Sequence, residues 1–136
     1  MNDTVVTLYD ARELARTPGY AYAASVPPGI RLIHLAGACP LNLDGTTAAI
    51  GDYAGQAAKC VENLELALRA AGATIDDVVS TRVLVATTRQ GDLGAVWDVV
   101  HAAFADHEVP STLFGVTVLG YDDQLVEIEA VAAVAD

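Results

Sequence analysis

The sequence predicts an α+β domain in which two helices lie on one face of a mixed β-sheet. Three observations carry this expectation. Two segments place apolar residues at helical spacing, several short β-branched runs are bounded by turn residues, and strands and helices follow in the order β, β, α, β, α, β, β.

Val5 to Tyr9 and Arg31 to Ala38 have strand composition, and Pro18, Gly19, Pro27, Pro28 and Gly29 mark turns between them. The second run ends at Cys39-Pro40, before a loop whose Asp44-Gly45 is a strong turn signal. From Asp52 to Ala71, apolar residues recur at Ala57, Cys60, Val61, Leu64, Leu68 and Ala71, one buried helical stripe. Lys59, Glu62, Glu65 and Arg69 lie off that stripe, Glu65 and Arg69 at a favourable i,i+4 spacing, and Gly72 stands where a helix C′ glycine belongs. Val78 to Ala86 alternates and is rich in β-branched residues, which predicts a strand. A second helix follows, with Asp92 as its expected cap and Leu93, Val96, Trp97, Val100 and Phe104 on one face. Leu113 to Leu119 and Gln124 to Val134 then flank the turn Gly120-Tyr121-Asp122-Asp123, a pattern that predicts an antiparallel hairpin.

Composition narrows the function classes. At 136 residues, with 53% hydrophobic and 18% charged residues, the chain suits a single domain spanning 1–136, with apolar surface to spare for self-association. Its net charge is −11, from 18 acidic residues against 7 Lys plus Arg, with no basic run. Binding to phosphate backbones needs clustered cations, so nucleic acid is not an expected partner. The same charge disfavours anionic membranes, no apolar run approaches the roughly 20 residues of a spanning helix, and MNDTVVTLYD lacks the pattern of a signal peptide. A cytoplasmic protein is expected.

Few chemical motifs are present. His34, His101 and His107 lack metal-ligand spacing, so no metal is expected. Cys39 and Cys60 form no CxxC pair and read as two small buried hydrophobes, with a disulfide as the alternative. No nucleophile elbow, phosphate loop or dinucleotide fingerprint occurs, and no cofactor is expected. Glu127 and Glu129 share one face of a strand whose other face, Val126, Ile128 and Ala130, is apolar. Two carboxylates there need water, partners or a function. Lining a wet axis between subunits, meeting backbone donors, or acting as a general base would each satisfy them.

The stretch Pro110 to Ala130, PSTLFGVTVLGYDDQLVEIEA, resembles the closing segment of the Rid family of reactive intermediate deaminases. Gly37, the Pro40 loop, Asp44-Gly45, Gln56 through Asn63-Leu64 to Ala71-Gly72, and Asp77-Val78-Val79 fall in that family's order, so the resemblance covers about residues 19–134. It implies a chorismate-mutase-like fold and a homotrimer whose sheets form an inner barrel, with ligand clefts between subunits. It also implies that Glu127 is the water-orienting glutamate and that Tyr22 is a cleft-wall tyrosine. Thr112, however, stands where deaminating members carry the arginine that clamps a substrate carboxylate, a geometry only a guanidinium supplies well. Phe114 and Trp97 replace a small residue and an asparagine of the cleft, and Ala36 replaces a serine. Packing in the core is the alternative role for Trp97.

The expected function is a small-molecule enzyme, deaminase-like or another hydrolase, that adds water to an imine, enamine or related reactive metabolite. Catalysis would fall to Glu127 and ligand contact to Tyr22, Trp97, Thr112 and Phe114, without the standard 2-imino acid as substrate. The competing class is a trimer that binds a small ligand, or regulates, without catalysis. An RNA-cleaving enzyme, which older names of the family suggest, is disfavoured by the acidic charge.

Overall fold

The computed structural model describes residues 4–136; the first three residues of the segment read above for a signal peptide lie outside the described residues. Two short strands, β1 (Thr7–Tyr9) and β2 (Ala23–Ser25), form an antiparallel ribbon. The main sheet contains β3 (Arg31–His34), β4 (Val78–Ala86), β5 (Ser111–Val116) and β6 (Val126–Val134) in the order β3-β6-β4-β5. Helices α1 (Tyr53–Ala70) and α2 (Gln90–Phe104) pack on one face of it, as the patterning predicts.

Helix α1 begins where the sequence places it, because the Asp52 carboxylate accepts from Gly55 N at 3.0 Å. Just past its end at Ala70 and the Ala71 cap stands Gly72, whose φ of +82° gives the left-handed turn that lets Ala73 N reach Leu68 O. Cys60, Leu64 and Leu68 from this helix and Val96, Val100 and Phe104 from α2 meet Val83, Val85, Val126 and Ile128 of the sheet in one core. A β-bulge between Val78 and Ser80 shifts the alternation, so Val78 and Val83 are both fully buried.

Three expectations are corrected. The strands flanking 117–125 do not form a hairpin: β5 runs parallel to β4, and β6 lies between β4 and β3. The intervening turn signals mark a reversal of direction without naming a partner, whereas the β4–α2–β5 crossover delivers β5 to the outer edge of β4. Asp92 does not cap α2. The helix starts earlier, at Arg89, and Asp92 lies in its first turn, accepting from Thr87 Oγ1 at 2.6 Å while Thr87 Oγ1 accepts from Arg89 N at 3.0 Å. Finally, Arg31 to Ala38 is not one strand; after His34 only Leu35 N still bonds β6, at Ala130 O, before the separate Ala38–Ile128 bridge.

Candidate functional site

The helix-free face of the sheet holds the sequence-nominated residues. In register across it lie Glu129 of β6, Arg82 of β4 and Thr112 of β5, and in the next row Glu127, Leu84 and Phe114. Strand alternation turns these side chains away from the core, since Val126, Ile128 and Ala130 are buried on the opposite side. Glu127 and Glu129 thus share a face, as their spacing predicts.

Glu127 is held in place. Gln124 Nε2 donates to its Oε1 at 3.1 Å, and the Cys39 thiol donates to the same oxygen at 3.3 Å. Gln124 is itself fixed: it is buried, donates to Val126 O and accepts from Tyr121 N at 3.1 Å. Oε2 points at Gly37, where any β-carbon would overlap the carboxylate, so a glycine is required for this close approach. Burial, then the hydrogen bond to Glu127 and its negative charge, push the Cys39 thiol up to about 11. Cys60, deeper in the core, is pushed up further by burial and donates to Val126 O. Both cysteines are free, so the disulfide alternative fails, and Cys39 is a polar neighbour of Glu127 instead of a buried hydrophobe.

The other nominated residues gather beyond β4. Thr112 contributes to two adjoining cavities that share Tyr20, Ser111 and Thr112. One, of about 400 Å³, is walled by Trp97, Pro18, Tyr20 and Leu113. The other, of about 320 Å³, is walled by Tyr22, Ser80 and Arg82. Trp97 therefore faces a cavity while packing: its Nε1 donates to Pro18 O at 2.7 Å, and its ring stacks on His101 and meets the edge of Tyr20. His101 Nε2 lies 2.7 Å from Glu108 Oε2, and Gly19 packs against the imidazole with no room for a side chain. These contacts fasten the Thr17-to-Tyr22 segment to α2. Phe114 lies in neither wall; the Arg82 guanidinium sits 5.4 Å above its ring.

The structure thus brings Tyr22, Trp97 and Thr112 to one groove and leaves Glu127 out of its lining, two strand spacings or about 10 Å from Thr112. Sequence reasoning missed Gln124, Cys39 and Tyr20 as site residues. Arg82 is the one charge in an otherwise neutral strand and alternates onto the Glu129 face. Gln124 follows two aspartates in a turn, and nothing local marks it as buried. Among the described residues, no three His, Cys, Asp or Glu side chains converge in a metal-binding group, and no helix is long and apolar enough to cross a membrane.

Comparison with known proteins agrees with this architecture. The family model described as Endoribonuclease L-PSP matches residues 14–134. The RutC family protein UK114 of Drosophila melanogaster is 33% identical over 102 residues, which are 75% of this chain and 72% of that protein. Among solved structures, the Rid-family protein YyfB of Yersinia pestis, of unknown function, superposes with a TM-score of 0.88 at 29% identity, covering 98% of this chain and 100% of that one. TdcF of E. coli, solved with bound serine, gives 0.66 at 26% identity over 89% of this chain and 91% of its own. With the family model spanning nearly the whole chain and the sheet and helices superposing on its members, this chain belongs to the Rid (YjgF/UK114) family and has its α+β, chorismate-mutase-like fold.

Proposed function

We propose that this protein is a small-molecule enzyme of the deaminase-like, hydrolytic kind, adding water to a carbon–nitrogen double bond with Glu127 as the general base. The observation that carries this reading is the anchored carboxylate: Oε1 is held by Gln124 and Cys39, and Oε2 is left to accept from a water. In the proposed step, Glu127 removes a proton from water as its oxygen attacks the imine carbon, the π electrons move to nitrogen, and Glu127 passes that proton to the nitrogen. Glu127 then takes the hydroxyl proton of the carbinolamine as the carbonyl forms and the carbon–nitrogen bond breaks, and gives this second proton to the nitrogen, which leaves as ammonia or an amine. An enamine would enter after tautomerising to the imine.

Within one chain the anchored carboxylate and the Tyr22–Trp97–Thr112 groove stand apart. A homotrimer with the helix-free faces turned inward would bring the Glu127 of one copy to the groove of the next, and would cover a sheet face that the helices leave open. Thr112 offers a hydroxyl where a carboxylate clamp would need a guanidinium, so 2-aminoacrylate and 2-iminopropionate should turn over roughly 100-fold or more below the rate a clamped site supports. TdcF, solved with serine, is a relative that holds a small amino acid, and a ligand of that size fits the groove described here.

The test is release of the carbonyl compound and of ammonia or amine from a panel of preformed imines and enamines that carry no carboxylate, aromatic ones included, with 2-iminopropionate as the comparison. Wild-type turnover that falls by about two to four orders of magnitude in Glu127→Gln, at unchanged melting temperature, is expected. A melting temperature lowered by Glu127→Gln with turnover unchanged would leave Glu127 as a structural group and favour the binding trimer.

A further inference from the structure

The groove and the anchored carboxylate together have an uneven charge. The cavity of about 400 Å³ walled by Trp97, Pro18, Tyr20 and Leu113 is lined by no Lys, Arg, Asp or Glu. The adjoining cavity of about 320 Å³ has one charged residue in its lining, Arg82, and that guanidinium is engaged: Nε lies 3.5 Å from Glu129 Oε1, and the cation sits 5.4 Å above the Phe114 ring. Arg82 and Glu129 are in register on β4 and β6, so the two charges cancel within the open face itself. Glu127 is different. Among the described residues it has no ion-pair partner, and the groups that hold it, the Gln124 amide and the Cys39 thiol, carry no charge.

Where the groove of one copy meets Glu127 of the next, the sum is one negative charge beside a lining of rings, apolar groups and hydroxyls. A neutral ligand closing that site would take water from Glu127 and give its charge nothing in return, and an anion would add repulsion. A cation would be compensated. The surroundings act in the same direction: past Tyr20 the next cavity presents Asp10, Asp106 and Glu108 against Arg16, in a chain of net charge −11. Such a field concentrates cations at the surface and speeds their encounter with it.

We infer that the substrate is an iminium cation without a carboxylate, the protonated imine of an aldehyde whose aromatic or apolar body lies against Trp97 and Tyr20. This deepens the water-addition reading and rests on it. Thr112, which lines both cavities, offers a hydroxyl oxygen to accept from the iminium N–H. The chemistry suits the charge, because water attacks an iminium carbon as the π electrons neutralise the nitrogen, and no anionic nitrogen forms. Iminium plus water gives aldehyde plus ammonium, both protons of the water reaching nitrogen through Glu127. A cation of this kind arises when a primary ammonium compound loses a hydride to a flavin or nicotinamide and a proton to solvent. The reaction that supplies this substrate is therefore the two-electron oxidation of an amine without a carboxylate, and the one that consumes the product acts on an aldehyde.

Benzamidinium, benzamide and benzoate share one shape and differ in charge, and benzamidinium is a stable planar mimic of the iminium. Trp97 is the sole tryptophan of the chain, so its fluorescence reports on the groove as the assembled wild-type protein is titrated with each. Benzamidinium should bind about tenfold or more tightly than the other two, with high salt weakening it and leaving benzamide unchanged. Glu127→Gln should lower benzamidinium affinity by about tenfold and hardly touch benzamide. Glu129→Gln, which leaves Arg82 unpaired, should move the preference toward benzoate. Should Glu127→Gln fail to fold, Glu129→Gln and the salt dependence carry the test. Benzoate or benzamide binding as tightly as benzamidinium, selectivity that survives Glu127→Gln, or no saturable benzamidinium signal would overturn the inference. Glu127-dependent release of benzaldehyde from a preformed benzylidene imine, with benzamidinium and benzoate competing equally, would sink this proposal and leave the water-addition reading standing. Glu127-dependent selectivity for benzamidinium, with no imine turned over, does the reverse.

Discussion

The two faces of the sheet follow opposite rules. Toward the helices, Val83, Val85, Val126 and Ile128 are fully buried against Leu64, Leu68 and Val96, and free energy there is a matter of volume and contact. Away from the helices, the alternate residues of the same strands are Glu127, Glu129, Arg82, Leu84, Thr112 and Phe114, in rows that mix charge, hydroxyl and aromatic ring. One face is built to be filled and the other to meet something. The lesson is that strand alternation alone, read two residues at a time, separates the residues that hold this fold from those available for chemistry.

The contrast can be broken at several strengths. Leu64→Ala, on the filled face, should cost about 2–5 kcal/mol, measured by chemical denaturation, because α1 cannot collapse into the space left at a fully buried site. A cost below about 1 kcal/mol would mean that the helix layer packs less tightly than described.

On the open face, the thiol of Cys39 reports on Glu127. With its pKa raised from 9.0 to about 11, Cys39 should alkylate at pH 8 roughly 100-fold more slowly than a free thiol, the rate rising as pH approaches 11. The linkage has a definite sign: the folded protein holds this proton more tightly, so the associated stability is complete below pH 9.0 and is lost as pH rises through about 11. Glu127→Gln removes both the charge and the carboxylate acceptor, and should speed alkylation; mass spectrometry resolving Cys39 from Cys60 checks this. An unchanged rate would separate the two side chains.

Gly37→Ala should be gentler on the fold and selective for the site. Its β-carbon would displace the Glu127 carboxylate, a side chain that can turn away, so a fall of about tenfold in turnover with little change in melting temperature is expected. Smallest of all is Thr112→Val, on an exposed position, for which the stability change should stay within about 0.5 kcal/mol.

Much of this was legible in the sequence where the signal was local. The Asp52 cap, the α1 stripe and Gly72 each act within a few residues, and each stands where the pattern places it. The pairing of β5 was not legible, because turn residues after Val116 look the same whether the next strand returns alongside or crosses to the far side of β4. The site divides likewise. Glu127 is marked by alternation, whereas its contacts with Gln124 and Cys39 join residues 3 and 88 positions apart, and only the fold closes the second distance. Trp97 reads as core from helical spacing, yet the edge of α2 at which it lies also borders the groove, a difference that depends on where Pro18 to Tyr20 run.

The proposed mechanism needs the open face to work between copies of the chain, since one copy holds the groove and the anchored carboxylate in separate places. Light scattering coupled to size exclusion, at micromolar protein, measures this. A mass of three chains, unchanged by Glu127→Gln, is expected. A monomer at that concentration would leave Glu127 and the Trp97–Thr112 groove apart, and would contradict the mechanism proposed for them.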